Sequence, residues 1–168
     1  MAMPPRKHTK HPEKGKVTLS TQGLTKRLTL VDIPEISSDD QTCWKVKAIA
    51  TIDAEGNISS KVLETMLQWK QSNREDWDRI IKSLRYVSGN KRHENKSKVI
   101  NDRRKQGVFE IRANRCVCRL ISFYDTTREA VVICAFPYSK GKGHHERDQD
   151  AAFAKCATIK TAYFQQKP

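Results

Sequence analysis

Residues 108–136 read VFEIRANRCVCRLISFYDTTREAVVICAF, three apolar runs parted by short polar breaks. In the first run Phe109, Ile111 and Ala113 alternate with Glu110 and Arg112, the period of a half-buried strand. CVCRLISFYD runs into the turn DTTRE, and AVVICAF has the unbroken apolar character of a strand buried on both faces. Links this short leave no room for crossovers, so the three runs are expected to form an antiparallel meander. Arg119 is the exception in this pattern, because it shares a strand face with Val117, Ile121 and Phe123. A guanidinium in a low dielectric must meet a carboxylate, a carbonyl or a ligand anion. Glu110 on the neighbouring strand would make it a structural ion pair, and a bound phosphate would make it a functional group. The sequence leaves both readings open.

Upstream, CWKVKAIATIDAEGN alternates from Trp44 and predicts a strand ending in a turn. A helix capped by Ser59 or Ser60 should then bury Val62, Leu63, Met66, Leu67 and Trp69. Ser72-Asn73-Arg74-Glu75 has the form of a capping box and opens a second helix, with Trp77, Ile80, Ile81, Leu84 and Val87 at helical spacing and a stop at Gly89-Asn90. The two helices are expected to pack as an antiparallel hairpin. The connection at 91–107 is polar and carries seven Lys and Arg, among them Arg103, Arg104 and Lys105. Downstream, a final helix opening near Asp148 or Asp150 should bury Ala152, Cys156, Ile159 and Tyr163. The order β, α, α, β, β, β, α predicts an α+β domain over 42–168, a small antiparallel-rich twisted sheet with an N-terminal helical hairpin and a C-terminal helix. Residues 1–41 read as a basic N-terminal extension and acidic linker.

The chain has 168 residues, with 32 Lys and Arg against 19 Asp and Glu, a formal charge of +13. A field of that sign attracts polyanions, nucleic acid first. No apolar stretch is long enough for a membrane span and no secretory leader is legible, so a cytoplasmic protein without membrane contact is expected. The five cysteines are odd in number and mostly lie in apolar patterns, as buried thiols do in a reducing compartment. Neither Cys-x-x-Cys nor His-x-x-x-His spacing occurs, so neither a metal nor a cofactor is expected. Walker spacing is absent as well.

The stretch SKGKGHHERDQD, 139–150, sets Lys140, Lys142, His144 and His145 between the last strand and the last helix. Gly141 and Gly143 let that backbone turn tightly. A solvated linker would look the same. The set nevertheless supplies what metal-free RNA cleavage needs: a base for the 2′-hydroxyl, an acid for the departing 5′-oxygen, and cations for the charge building on phosphorus. Histidine titrates near the working pH, and the arginine fork matches phosphate geometry. The candidate catalytic set is therefore Arg119, Lys140, Lys142, His144 and His145. Arg112, Arg115, Arg103, Arg104 and Lys105 are candidates for RNA binding. Arg119→Ala is expected to abolish cleavage and leave the fold intact.

VLETMLQWKQSNREDWDRIIKSLRYV, then GVFEIRANRCVCRLISFYD, then AVVICAFPYSKGKGHHERDQDAAFAKCATIKTAYF together resemble the RelE/HigB toxins, in particular their phage-derived HigB-like branch. The resemblance covers about residues 44–166 and rests most on FEIR, on CRLISFY, and on AF leading to a lysine-rich loop and final helix. It implies the toxin of a bacterial type II toxin–antitoxin system, a ribosome-dependent mRNA endonuclease that enters the A site of the 70S ribosome and cuts without metal. It also implies a cognate antitoxin, of helix-turn-helix type, covering the basic surface. Arg119 falls on the strand arginine that such toxins use at the scissile phosphate, Lys140 and Lys142 fall in the basic loop, and Arg112 matches the arginine of the family's strand word. Two departures stand out. RelE places an arginine in the loop and a tyrosine in the last helix, where this chain has lysines, histidines and Phe153. A ParE-like inhibitor of DNA gyrase and a non-catalytic RNA-binding regulatory module are the alternatives.

Overall fold

The computed structural model describes residues 26–93, 100–103, 107–141 and 146–167; the side chains of 100–103 and of Glu146 fall outside the description. Among the described residues lie strands β1 (Arg27–Asp32), β2 (Lys45–Ile52), β3 (Ile58–Ser59), β4 (Ile100–Arg103), β5 (Val108–Ile111), β6 (Cys118–Asp125) and β7 (Val131–Ser139), and helices α1 (Lys61–Ser72), α2 (Arg74–Gly89) and α3 (Glu146–Gln166). The sheet runs β1-β2-β7-β6-β5-β4, and the two-residue β3 pairs with β2 off this path. The meander predicted from 108–136 is present: β5, β6 and β7 pair antiparallel in sequence order. β4 extends it at the edge, from a connection that reads as polar throughout.

β2 joins β7 in parallel, Lys45 opposite Val131 to Ala48 opposite Cys134. Parallel pairing needs a crossover, and α1, α2 and the strands after them supply it. On its other edge β2 takes β1 in antiparallel register from Arg27–Ile52 to Asp32–Lys47. The sheet thus includes residues of the segment expected as an extension, and Ile33 and Ile36 just beyond β1 are buried in the core.

Helices cover both faces of the sheet. On β7, Ser139 Oγ accepts from Trp69 Nε1 of α1 at 2.9 Å. Its neighbour Tyr138 turns to the opposite face, where its hydroxyl donates to Glu110 Oε2 at 2.7 Å alongside Gln149 of α3. Strand alternation puts Arg119, Ile121 and Phe123 on the α3 face, and Phe123 meets Tyr163 and Phe164 there. Cys118 and Leu120 face α1 and α2.

Ser60 caps α1, accepting from Leu63 N–H while its own hydroxyl donates to Ile49 C=O at 2.7 Å. Val62, Met66 and Trp69 are buried and Leu63 is partly buried against the core, but Leu67, expected in the core, is 54% exposed. Asn73 caps α2, and it pairs with Asp76 N–H, not through the Ser72–Glu75 box expected. Trp77, Ile80, Ile81, Leu84 and Val87 are all buried. The N-terminal helical hairpin is not supported. Asn73 alone separates the helices, fewer than the two to five residues such a loop takes, and β1, β2 and β3 precede them. α3 begins at Glu146, earlier than expected, and buries Ala152, Phe153, Cys156 and Tyr163. None of the described helices is long and apolar enough to cross a membrane.

The end of α3 is tied to the sheet through Asp125. Its carboxylate accepts from Tyr163 Oη at 2.8 Å, from Thr127 N–H and Oγ1, and from Lys167 Nζ. Burial alone would raise the Asp125 pKa, but the Lys167 ammonium and the Thr127 and Tyr163 donors hold it well below the usual carboxylate range. A depressed carboxylate contributes stability above its unfolded value of about 3.9 and loses it as pH falls toward the folded value. Asp125→Asn should therefore cost about 2 kcal/mol at neutral pH and show a shallower loss of stability below about pH 4. Chemical denaturation across pH checks both.

Candidate nucleic-acid interface

β5 ends at Ile111 and β6 starts at Cys118, so residues 112–117 form a turn at one end of the sheet. Cys116 N–H closes it on Ala113 C=O at 3.3 Å, and Arg115 takes a positive φ of 55°. Held left-handed, a non-glycine residue is strained by about 1–2 kcal/mol, so the surroundings must fix the turn. They do. Asp76 Oδ2 accepts from Val117 N–H at 2.8 Å, Arg79 Nη1 donates to Arg115 C=O at 3.0 Å, and Ser83 Oγ donates to Arg112 C=O at 2.9 Å. Asp76, Arg79 and Ser83 of α2 clamp this turn.

The turn and the first residues of β6 border a cleft of about 270 Å³ lined by Arg112, Ala113, Asn114, Arg115 and Arg119. Arg119 is 7% exposed. Its Nη1 donates to Cys118 C=O at 2.9 Å and to Cys116 C=O, and its Nε lies 3.4 Å from Glu110 Oε1. Glu110 is 1% exposed and is held further by Tyr138 Oη and by Gln149 Nε2 at 3.0 Å. Of the two readings the sequence left open, the ion pair with Glu110 is present, and Arg119 also forms a wall of the arginine-lined cleft. Arg112 and Arg115 make neither an ion pair nor a side-chain hydrogen bond to any described residue. Two arginines with no counter-ion among the described residues, beside a third that has one, leave a local excess of positive charge there, the condition for holding a phosphodiester.

The other candidates distribute unevenly. Lys140 N–H donates to Val117 C=O at 2.8 Å, so β7 leaves the sheet beside the arginine turn. Gln149, in the first turn of α3, returns to Glu110 next to Arg119. Both described flanks of the loop therefore sit at the cleft, while Lys142, His144 and His145 lie outside the described residues, as do Arg104 and Lys105. Arg103 belongs elsewhere: its partner is Val108, whereas Ile100 pairs with Ile111 beside the cleft. At about 3.3 Å per residue that sets it some 10 Å along the sheet. Phe153 is 1% exposed in the core and is no substitute for a reacting tyrosine.

Asp76, Arg79, Tyr138 and Gln149 were not singled out in the sequence. Asp76 sits in an acid-rich first helical turn where a capping role explains it fully, and Tyr138 falls past the apolar run that marks β7. A His93 bridge at the other end of the sheet, with ring nitrogens 2.6 Å from Tyr124 Oη and 2.8 Å from Val87 C=O, likewise has no sequence signal. Burial outweighs its backbone hydrogen bonds and lowers its pKa, which favours neutral imidazole.

Comparison with protein-family models, with curated proteins and with solved structures gave no match.

Proposed function

We propose that this chain is the toxin of a bacterial type II toxin–antitoxin pair, with a RelE-like fold, that cleaves mRNA in the ribosomal A site by attack of a 2′-hydroxyl on the adjacent phosphorus. The observation that carries the reading is the cleft in which Arg112 and Arg115, without counter-ions among the described residues, flank Arg119. In this reading Arg119, fixed by Glu110 and two carbonyls, meets the scissile phosphate, because a preorganised donor costs no reorganisation as charge develops. Arg112 and Arg115 hold the neighbouring phosphates. Lys140, Lys142, His144 and His145 supply the proton-transfer groups, entering from a loop whose described flanks border the cleft. The charge of +13 suits association with ribosomal RNA, and a cognate antitoxin would cover the same surface.

The test is tightly controlled expression, with mRNA 5′ ends mapped and DNA synthesis followed in parallel. Cuts confined to translated frames and spaced by codons are the expected result. Intact mRNA with stalled gyrase would replace this reading with a ParE-like one. Intact mRNA and unimpaired replication would leave a non-catalytic binder.

A further inference from the structure

Behind the arginine turn, on the face that α2 covers, three side chains with metal-ligand chemistry meet. One ligand atom from each of Asp76, Cys116 and Cys118 lies within 4.8 Å of the other two, and all three residues are buried. No other cluster of three such residues occurs among the described residues. The spacing of the cysteines argued against a metal, since Cys-x-Cys alone offers two ligands on one strand. The third comes from α2, 40 residues upstream of Cys116.

Two sulfurs and one oxygen suit zinc, whose sites combine thiolate and carboxylate ligands. With bonds of about 2.3 Å to sulfur and 2.0–2.2 Å to oxygen, a tetrahedral ion spaces its ligand atoms by roughly 3.3–3.8 Å. Atoms already within 4.8 Å of one another need to close by at most about 1.5 Å. The carboxylate is pre-aimed, with Oδ2 on Val117 N–H at 2.8 Å and Oδ1 on Arg79 Nη1 at 2.9 Å. Cys116 Sγ has only weak partners, Asp76 C=O at 3.4 Å and Cys118 C=O at 3.8 Å.

The charges balance as well. Two thiolates and one carboxylate carry three negative charges, and a divalent ion leaves one, opposed by Arg79, which already meets Asp76 Oδ1. Without the ion a second buried thiolate would be costly. The other buried thiols, Cys134 and Cys156, are both pushed up to about 12 by burial and belong to no such cluster of three ligands among the described residues.

We propose that Asp76, Cys116 and Cys118 form a structural site for a divalent ion of the zinc type that pins the arginine turn to the start of α2. Binding would release the two thiol protons, since only thiolates ligate. The inference stands on the cluster itself and does not depend on what the arginine cleft binds.

Cobalt(II) is the probe. The reduced, metal-stripped full chain should take up one equivalent of Co(II), gain a thiolate-to-metal charge-transfer band and the visible bands of a tetrahedral ion, and give up the cobalt to zinc. Its thermal midpoint should rise with free metal. Cys118→Ser should lose the charge-transfer intensity and the stabilisation. Asp76→Asn should weaken uptake by about tenfold or more with thiolate bands still present at saturation. Cys134→Ser, outside the cluster, should behave as wild type. The site is overturned if folded wild-type protein shows no thiolate band in excess cobalt. It is equally overturned if the band persists in Cys116→Ser and Cys118→Ser, or if these two cysteines are recovered as a disulfide from reduced, metal-treated protein.

Discussion

Arg119→Ala is expected to abolish cleavage and also to cost about 3 kcal/mol of stability. The second effect runs against the sequence expectation of an intact fold. Glu110 is 1% exposed, and losing its guanidinium partner leaves a buried carboxylate with only the Tyr138 and Gln149 donors. Breaking one side of a buried pair typically costs about 3–5 kcal/mol, and the remaining donors put this case at the low end. For a chain of this size that is a fall in thermal midpoint of roughly 6–12 °C. A toxic phenotype lost in Arg119→Ala would therefore be ambiguous on its own. The double variant Arg119→Met, Glu110→Gln removes both charges, retains an acceptor for Tyr138, and should recover most of the stability and none of the cleavage. Arg112→Ala separates the effects from the other direction. Its side chain has no described partner, so stability should stay within about 0.5 kcal/mol, while losing one charged hydrogen bond to phosphate should slow cleavage by about 10–100-fold.

The second large effect is expected at Asp76. This side chain is buried and joins α2 to the arginine turn through Val117 N–H, with Arg79 bridging from Asp76 to Arg115 C=O. Asp76→Ala removes the acceptor of the Val117 N–H and one of the two carboxylates that hold Arg79, a cost of about 1.5–3 kcal/mol. Without the clamp the left-handed backbone at Arg115 has less to hold it, so cleavage should fall with stability. Glu75→Ala is the matched control, since its carboxylate also meets Arg79 but is 76% exposed. An exposed pair of this kind contributes about 0–1 kcal/mol. Urea denaturation of the two variants, side by side, checks the contrast.

These residues also show what the sequence could and could not disclose. The meander of β5, β6 and β7 was legible because alternation and unbroken apolar runs are local signals, and the α2 stripe was legible for the same reason. β4 was not, because INDR is an edge strand whose pairing, not its composition, makes it a strand. Nor was the parallel join of β2 to β7, since nothing local records which distant strand becomes a neighbour. Arg119 was recognisable as out of place on its strand face. Its attachment to Glu110 was one of two readings, and that ion pair is present in the folded chain. The clamp from Asp76, like the cluster it forms with Cys116 and Cys118, joins residues far apart in sequence, and a carboxylate in the first turn of a helix gives no hint of it.

The most direct measurement adds purified protein to ribosomes programmed with a defined mRNA and maps the 3′ and 5′ ends of the products. Wild type should cut within the A-site codon and leave a cyclic phosphate. Arg112→Ala should cut slowly, and the folded Arg119→Met, Glu110→Gln variant should not cut at all. Full cutting by that double variant, or intact mRNA with folded wild-type protein, would contradict the assignment of the arginine cleft to the scissile phosphate.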